Sequence, residues 1–398
     1  MIKKICLLVI GLSYYLNATT VENILDLVEK NNAILKAKQK AVDSSHIDAQ
    51  LANTWSNPTV GLGVSDINLD SPSKRDIEAM QTQFITYSQS IPTNGKLELE
   101  TDIKNNDTNI KSLEYKEFKQ KLQSQALLYS YSLYYEMQNL QIINKYIKNL
   151  EDQKELMNLL YENGKLDQSK LVTIDIKLYK QKLSQQKIAY KISNIQSSLA
   201  NIIYRKIDTV EFSNNIHNSM IDLDFVLENH PLVLIEKEKI KQQTQQIELE
   251  NRKKISDVKL TVGYYQRERF DDYLSFNVAI PLSIQGIEKL KIQKSKIQKN
   301  STEDKLIGLQ KQIETTIEDL QQKIVLSKQN FELIENKMIP LNETLSQSHK
   351  MHLSTNTMDS INIYESTNSK LELMLLVNDE KMNYFTALAQ LYYFKGTL

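Results

Sequence analysis

Residues 275–286 read SFNVAIPLSIQG: apolar Phe276, Val278 and Ile280 alternate with Ser275, Asn277 and Ala279, then Pro281 ends the pattern and a charged helical run begins. Period-two alternation marks a strand whose two faces meet unlike surroundings. A fainter copy, ITYSQSIPTNGK, fills residues 85–96. Both stand in a chain that is otherwise helical, since 398 residues share only 9 Gly and 6 Pro; few turns mean long elements.

The two strands belong to a tandem duplication. VEKNNAILKAKQKAV (28–42) is echoed by VLENHPLVLIEKEKI (226–240), about 198 residues later. PTVGLGV (58–64) then matches LTVGYY (260–265), SQSIPTNGK matches NVAIPLSIQG, and YENGKLDQSKL (161–171) matches HLSTNTMDSIN (352–362). Four matches in one order define repeats 19–210 and 211–398, a period far longer than that of a solenoid. The pattern predicts helix 20–55, strands 58–69 and 79–92, and helices 94–162 and 166–205 in the first repeat. The second repeat is predicted as helix 222–255, strands 257–267 and 272–283, and helices 285–352 and 358–395.

The helical apolar positions step by three or four: Leu133, Met137, Leu140, Ile143, Ile147 and Leu150, then Ile188, Ile192, Ile195, Leu199 and Ile202. Ile313, Ile317, Leu320 and Ile324 continue as Phe331, Ile334, Met338, Leu341 and Leu345. A mean step near 3.5 is a coiled-coil seam. A helix over 94–162 runs on the order of 100 Å at 1.5 Å per residue. Pro340 is expected to kink its counterpart.

Lys plus Arg equals Asp plus Glu at 49 each, so no net field points to nucleic acid. Lys3 and Lys4, the run ICLLVIGLSYYL and the small residue Ala18 read as a signal peptide over 1–18; a membrane anchor is the alternative. Cys6, the only cysteine, falls inside that segment, which removes disulfides and thiolate chemistry from the rest. His349 and His352 stand one turn apart, but no carboxylate or cysteine joins them at ligand spacing, so no metal is assigned. Nor is there a Ser/His/Asp order or a phosphate-binding glycine loop, and no enzyme activity or cofactor is implied. Trp55 precedes the first strand, as an interfacial aromatic or an ordinary packing residue.

The strands are about as long as the 9–11 residues a tilted strand needs to cross a bilayer; two ordinary hairpins packed on a small core are the alternative. Four strands close no barrel, and an open edge is not tolerated in lipid, so a membrane reading requires several copies: two give eight strands, three give twelve and a pore.

On the tandem repeat, the strand ending IPLSIQG before a long helix, MIPL (338–341) and the tip YENGKLDQSKL, the chain resembles the TolC family of outer membrane efflux proteins over nearly all of residues 20–397. The fold class this implies is mainly α with a small β part: a trimeric α-helical barrel continuing into a twelve-stranded transmembrane β-barrel, four strands per protomer. The resemblance further implies a homotrimer in outer membrane lipid whose helices extend into the periplasm. Such a duct passively conducts substrates delivered by an inner-membrane transporter and a periplasmic adaptor. The helix-turn-helix tips, 161–170 and 353–362, are then the docking surface, with Tyr161, Gly164, Asp167, Lys170 and Asn356 as its residues. Two acidic positions three apart form the family's periplasmic constriction; here they fall on Asn362 and Glu365, with Asp359 beside them. Asp167 and Asp359 either add charge or cap the helices that follow. A periplasmic coiled-coil adaptor or tether is the rival reading, and the cargo is not written in the sequence.

Overall fold

The computed structural model describes residues 19–211, 221–351 and 358–396. In chain order the elements are β1 (Thr19–Thr20), α1 (Val21–Asn31), α2 (Ala33–Ala52), β2 (Thr59–Ser65), β3 (Thr82–Ile91), α3 (Lys96–Glu162), α4 (Gln168–Ile203) and β4 (Val210–Glu211). They continue with α5 (Leu223–Asn229), α6 (Pro231–Arg252), β5 (Val258–Gln266), β6 (Tyr273–Ala279), α7 (Ile287–Leu333), a π-helical turn (Ile334–Met338), α8 (Ile339–Met351) and α9 (Met358–Lys395). Two compact units arise. One combines Met1–Leu35, Phe118–Val226 and Ile313–Leu398; the other combines Lys36–Glu117 and Leu227–Gln312. Each draws on both repeats, so the duplication and the compact units divide the chain differently.

The second unit holds an antiparallel sheet in the order β2-β3-β5-β6. The hairpins β2–β3 and β5–β6 are joined through β3–β5, which pairs Gln83 with Gln266 through to Ile91 with Val258. Register sorts the side chains. Val60, Tyr87, Val262 and Phe276 share one row, and Leu62, Ile85, Tyr264 and Leu274 the next. The opposite face carries Gly61, Thr86, Gly263 and Ser275, with Ser88, Thr261 and Asn277 in the adjoining row. On that face Ser88 and Thr261 hydroxyls meet at 2.8 Å. The apolar face is exposed, Leu62 by 76% and Phe276 by 71%. The strands span 7, 10, 9 and 7 residues, shorter than the expected ranges, because the alternation outruns the paired residues. Ile280 accordingly lies one residue beyond β6.

The second strand of each hairpin hands over to a long helix through a left-handed glycine. Gly95 (φ 64°) precedes α3 and Gly286 (φ 70°) precedes α7, and each glycine carbonyl accepts the first helical N–H, from Leu99 and Leu290, at 3.3 Å. Around Gly95 the two repeats are tied by charge. Lys96, nearly buried, reaches Asp257 and the Ile255 carbonyl at 2.6 Å, and Asp257 also accepts the Thr93 N–H at 3.0 Å. Partial burial works to raise the Asp257 carboxyl, but hydrogen bonds from Lys96 and Thr93, aided by the charges of Lys96 and Lys253, outweigh it and hold the group below the usual carboxylate range. A depressed folded pKa means the stabilisation is complete above about pH 4 and is lost as pH falls through the lowered value. Asp257→Asn should therefore be less stable than the parent at pH 7, with the difference shrinking below pH 4; thermal unfolding across that range checks it.

Two expected helices are divided. The predicted helix 20–55 breaks at Asn32, and 222–255 breaks at His230, its equivalent in the second repeat. Both residues are buried and extended (ψ 114° and 135°), and both cap the next helix: Asn32 Oδ1 accepts the Leu35 N–H at 2.9 Å and His230 Nδ1 the Leu232 N–H at 3.3 Å. Asn32 also donates to the Ile202 carbonyl at 2.8 Å, which fixes the break from a helix 170 residues away.

In the first unit α3 lies between two partners. Lys154–Asp175 (2.6 Å), Lys182–Glu151 (3.0 Å) and Gln185–Asn144 (2.6 Å) join it antiparallel to α4. A file of buried and half-buried amides joins it to α9: Asn139 to Asn378 (3.0 Å), Asn149 to Asn368 (2.7 Å), and Asn368 to Gln153 (3.1 Å), with Asn139 also donating to the Asp379 carboxylate (3.1 Å). Ile142, Ile143, Tyr146, Ile147, Leu150, Ile174, Leu178 and Leu371 fill the spaces between. Lys370–Glu343 and Lys381–Glu335, both 2.6 Å, attach α8 and the π-turn to α9.

Pro340 does not simply kink its helix. The Ile339 N–H bonds the Ile334 carbonyl, five residues back, so the turn before the proline is widened by one residue. The expected seam of Phe331, Ile334, Met338, Leu341 and Leu345 ends at Ile334: Met338, Leu341 and Leu345 are exposed, and Ile339, Asn342, Ser346 and His349 are half-buried instead. An extra residue in one turn rotates everything after it by about 100°.

Candidate functional site

The ends of α3, α4 and α9 meet at a cleft of about 230 Å³, lined by Gln153, Met157, Lys170, Thr173, Ile174, Lys177, Ile361, Asn362 and Glu365. Three residues expected from the sequence, Lys170, Asn362 and Glu365, are thus brought together. A further charged residue, Lys177, joins them without having been expected. Its signal is present in the sequence: it stands seven residues after Lys170, two turns along the same face of α4. Lys177 Nζ lies 4.0 Å from Glu365 Oε1, both side chains about half exposed, so the pair is weak in energy but sets the local charge. The acid stands with two lysines. Asn362 and Glu365 are i and i+3 on α9 and point into the same cleft.

Gly164 ends α3 with φ 69° and nothing near the position a Cβ would take. Its N–H bonds the Tyr161 carbonyl at 2.9 Å and the Lys165 N–H bonds Leu160 at 2.8 Å. Those two bonds are the paired closure of a Schellman turn, in which glycine is favoured. Tyr161 is exposed beside it, and Leu166 turns back into the core. Asp167 holds the N-cap position of α4 in extended conformation (φ −81°, ψ 147°), yet its carboxylate makes no cap hydrogen bond. Of its two sequence roles, the capping bond is absent and the charge remains. Asp359 falls in the first turn of α9. Asn356 and His352 lie outside the described residues, as does the segment 1–18.

Among the described residues no three His, Cys, Asp or Glu side chains gather as metal ligands, and no described helix is long and apolar enough to cross a membrane. Trp55 is exposed. Along the amide file burial raises the Asp379 carboxyl, against hydrogen bonding from Asn139 and the charge of Lys191. The described side chains of the site offer hydrogen-bonding and charged groups at a helical end.

By sequence the chain matches no protein-family model and no curated protein. By structure it is similar to a membrane protein from Pseudomonas aeruginosa, at 11% identity over 95% of this chain and 90% of that one, with a TM-score of 0.77. The CmeC outer membrane channel of Campylobacter jejuni gives 13% identity, 94% and 85% coverage and a TM-score of 0.76. The outer membrane protein VceC of Vibrio cholerae gives 11% identity, 93% and 96% coverage and a TM-score of 0.71. The fold is TolC-like.

Proposed function

We propose that the chain is one protomer of an outer membrane channel, a passive exit duct without chemistry of its own. The carrying observation is the sheet: one face holds an exposed apolar band with Gln83, Gln89 and Gln266 toward its ends, the other is mostly Ser, Thr, Gly and Asn with one aromatic row of Phe84, Tyr265 and Tyr273, and β2 and β6 are left as open edges. Water disfavours such a face and lipid forbids such edges, and both objections vanish when the edges of several copies join in a closed barrel. Three copies give twelve strands with space for a pore, as a homotrimer requires. The structural neighbours, CmeC described as an outer membrane channel and VceC as an outer membrane protein, support this reading, and segment 1–18 supports export.

Tyr161, Gly164 and Asp167 in the exposed α3–α4 turn and Lys170 in the first turn of α4 form, with Asn356, the docking surface for a periplasmic adaptor and its inner-membrane transporter. Glu365, Asn362 and Asp359 line the constriction at that level. Fractionation tests the main claim: the mature protein should need detergent for release from outer membranes, and release as a soluble monomer overturns it.

Conductance in planar bilayers tests the constriction. Ion selectivity depends on the charge ring at the narrowest point. Glu365→Gln should shift selectivity towards anions by severalfold, and Lys177→Gln should shift it the other way. Reversal potentials unchanged in both variants would place the narrow point elsewhere.

A further inference from the structure

In the half of the first unit that ends at the cleft, the helices succeed one another as α4, α3, α9 and α8, with Lys177 of α4 also reaching Glu365 of α9 at the cleft itself, so α4 and α8 are the outer members there. Both carry apolar side chains on the side away from the core. On α4 these are Val172, Ile176, Tyr179, Leu183 and Tyr190, stepping by four, three, four and seven, with Tyr179 67% exposed. On the other edge are Met338, Leu341 (71% exposed) and Leu345, preceded by Leu326 and Leu333 on α7. A helix with two seams set apart around its circumference has room for two neighbours, and among the described residues only one seam is filled.

The π-turn creates the second stripe. Without its extra residue Met338, Leu341 and Leu345 would continue the heptad of Phe331 and Ile334 into the contact with α9. With it they fall in phase with Leu326 and Leu333. We propose that the Ile334–Met338 π-turn is a phase shifter that transfers this seam from α9 to a second copy of the chain, where Met338, Leu341 and Leu345 pack on Tyr179 and Leu183 of α4.

The choice of a second copy rests on the proposed ring of protomers and on two further matches. The sheet of this chain likewise ends in two unlike edges, β2 and β6, which only another copy completes head to tail. The two stripes also lie at the same level. Gln185 bonds Asn144 (2.6 Å), Tyr146 bonds Glu372 (2.5 Å) and Lys370 bonds Glu343 (2.6 Å). Stepping two residues along each antiparallel pair places Leu183 beside Tyr146, Tyr146 beside Glu372 and Glu372 beside Leu341. Rotation about an axis along the helices preserves level, so Leu183 of one copy meets Leu341 of the next.

The test is disulfide trapping in full-length protein carrying Cys6→Ser, Leu183→Cys and Leu341→Cys. Within one chain α3 and α9 stand between the two positions, beyond the roughly 7 Å Cα separation a disulfide tolerates. Oxidation should give covalent dimers and trimers on non-reducing gels. Deleting Asn336 in the same background closes the π-turn, rotates Leu341→Cys towards α9 and should cut the cross-linked fraction at least tenfold. An assembled, detergent-purified protein that yields no cross-link overturns the surface. Undiminished cross-linking after the deletion overturns the phase-shifting role. A protein that purifies only as a monomer overturns the channel reading itself, and this inference with it.

Discussion

Phe276→Lys is expected to abolish stable insertion, whereas Asn277→Lys, one residue on, is expected to leave it intact. In water the first change would be mild, since Phe276 is 71% exposed and substitutions at such positions usually stay within about 0.5 kcal/mol. In lipid the balance changes. Phe276 is the fourth of seven residues in β6, and a lysine near the bilayer midplane on the outer face of a barrel costs about 2–4 kcal/mol per chain. Asn277 shares a row with Thr261 and Ser88 on the polar face, where an added ammonium stays in water. Refolding into vesicles, scored by protection of the strands from protease, measures both. Equal insertion of the two variants would show that no lipid touches this sheet. Insertion of Phe276→Lys alone would show that the faces are assigned the wrong way round.

That contrast is legible in residues 275–286, because a strand between two media writes its surroundings into every second residue. The long helices are legible for a related reason: only a continuous contact with a neighbouring helix keeps apolar residues at one fixed period over so many turns. Gly164 is legible because few residues accept its positive φ. Other features depend on distant or competing partners. The break at Asn32 is held by the Ile202 carbonyl, 170 residues away, while the apolar period around it runs on undisturbed. The spacing of Met338, Leu341 and Leu345 suits either of two neighbours, so sequence alone puts them in the wrong seam; only the five-residue bond from Ile339 to Ile334 decides between them. Lys177 shares a helix face with Lys170 in the sequence, but that spacing acquires meaning only when the fold sets Glu365 opposite it, because a lysine on a solvated helix is otherwise ordinary.

Asn368→Leu should destabilise the first unit more than the double change Gln153→Met with Asn368→Leu. Asn368 is buried between α3 and α9, where it accepts from Asn149 at 2.7 Å and donates to Gln153 at 3.1 Å. Leucine fills the space but leaves the Gln153 carbonyl, in a side chain only 2% exposed, without this donor, at a cost of about 1–3 kcal/mol. Asn149 loses less, because it keeps the Tyr364 carbonyl at 3.1 Å. Replacing Gln153 as well removes the stranded acceptor, and a matched apolar pair is close to neutral. The double variant should recover about 1–2 kcal/mol of the single variant's loss, a coupling of the size found for residues sharing one network. Thermal unfolding of the detergent-solubilised protein compares them. If the double variant is the less stable, the file contributes through its summed hydrogen bonds and not through the need to satisfy each buried group. The same file leads from Asn139 to Gln153, which itself lines the cleft holding Asn362 and Glu365. Amides suit that position better than leucines: an apolar seam tolerates sliding, whereas hydrogen-bonded pairs admit one register of α9 against α3. That register sets where Glu365 stands relative to Lys177. Asn368→Leu should accordingly broaden the distribution of single-channel conductances, and the double variant, though restabilised, should not narrow it again.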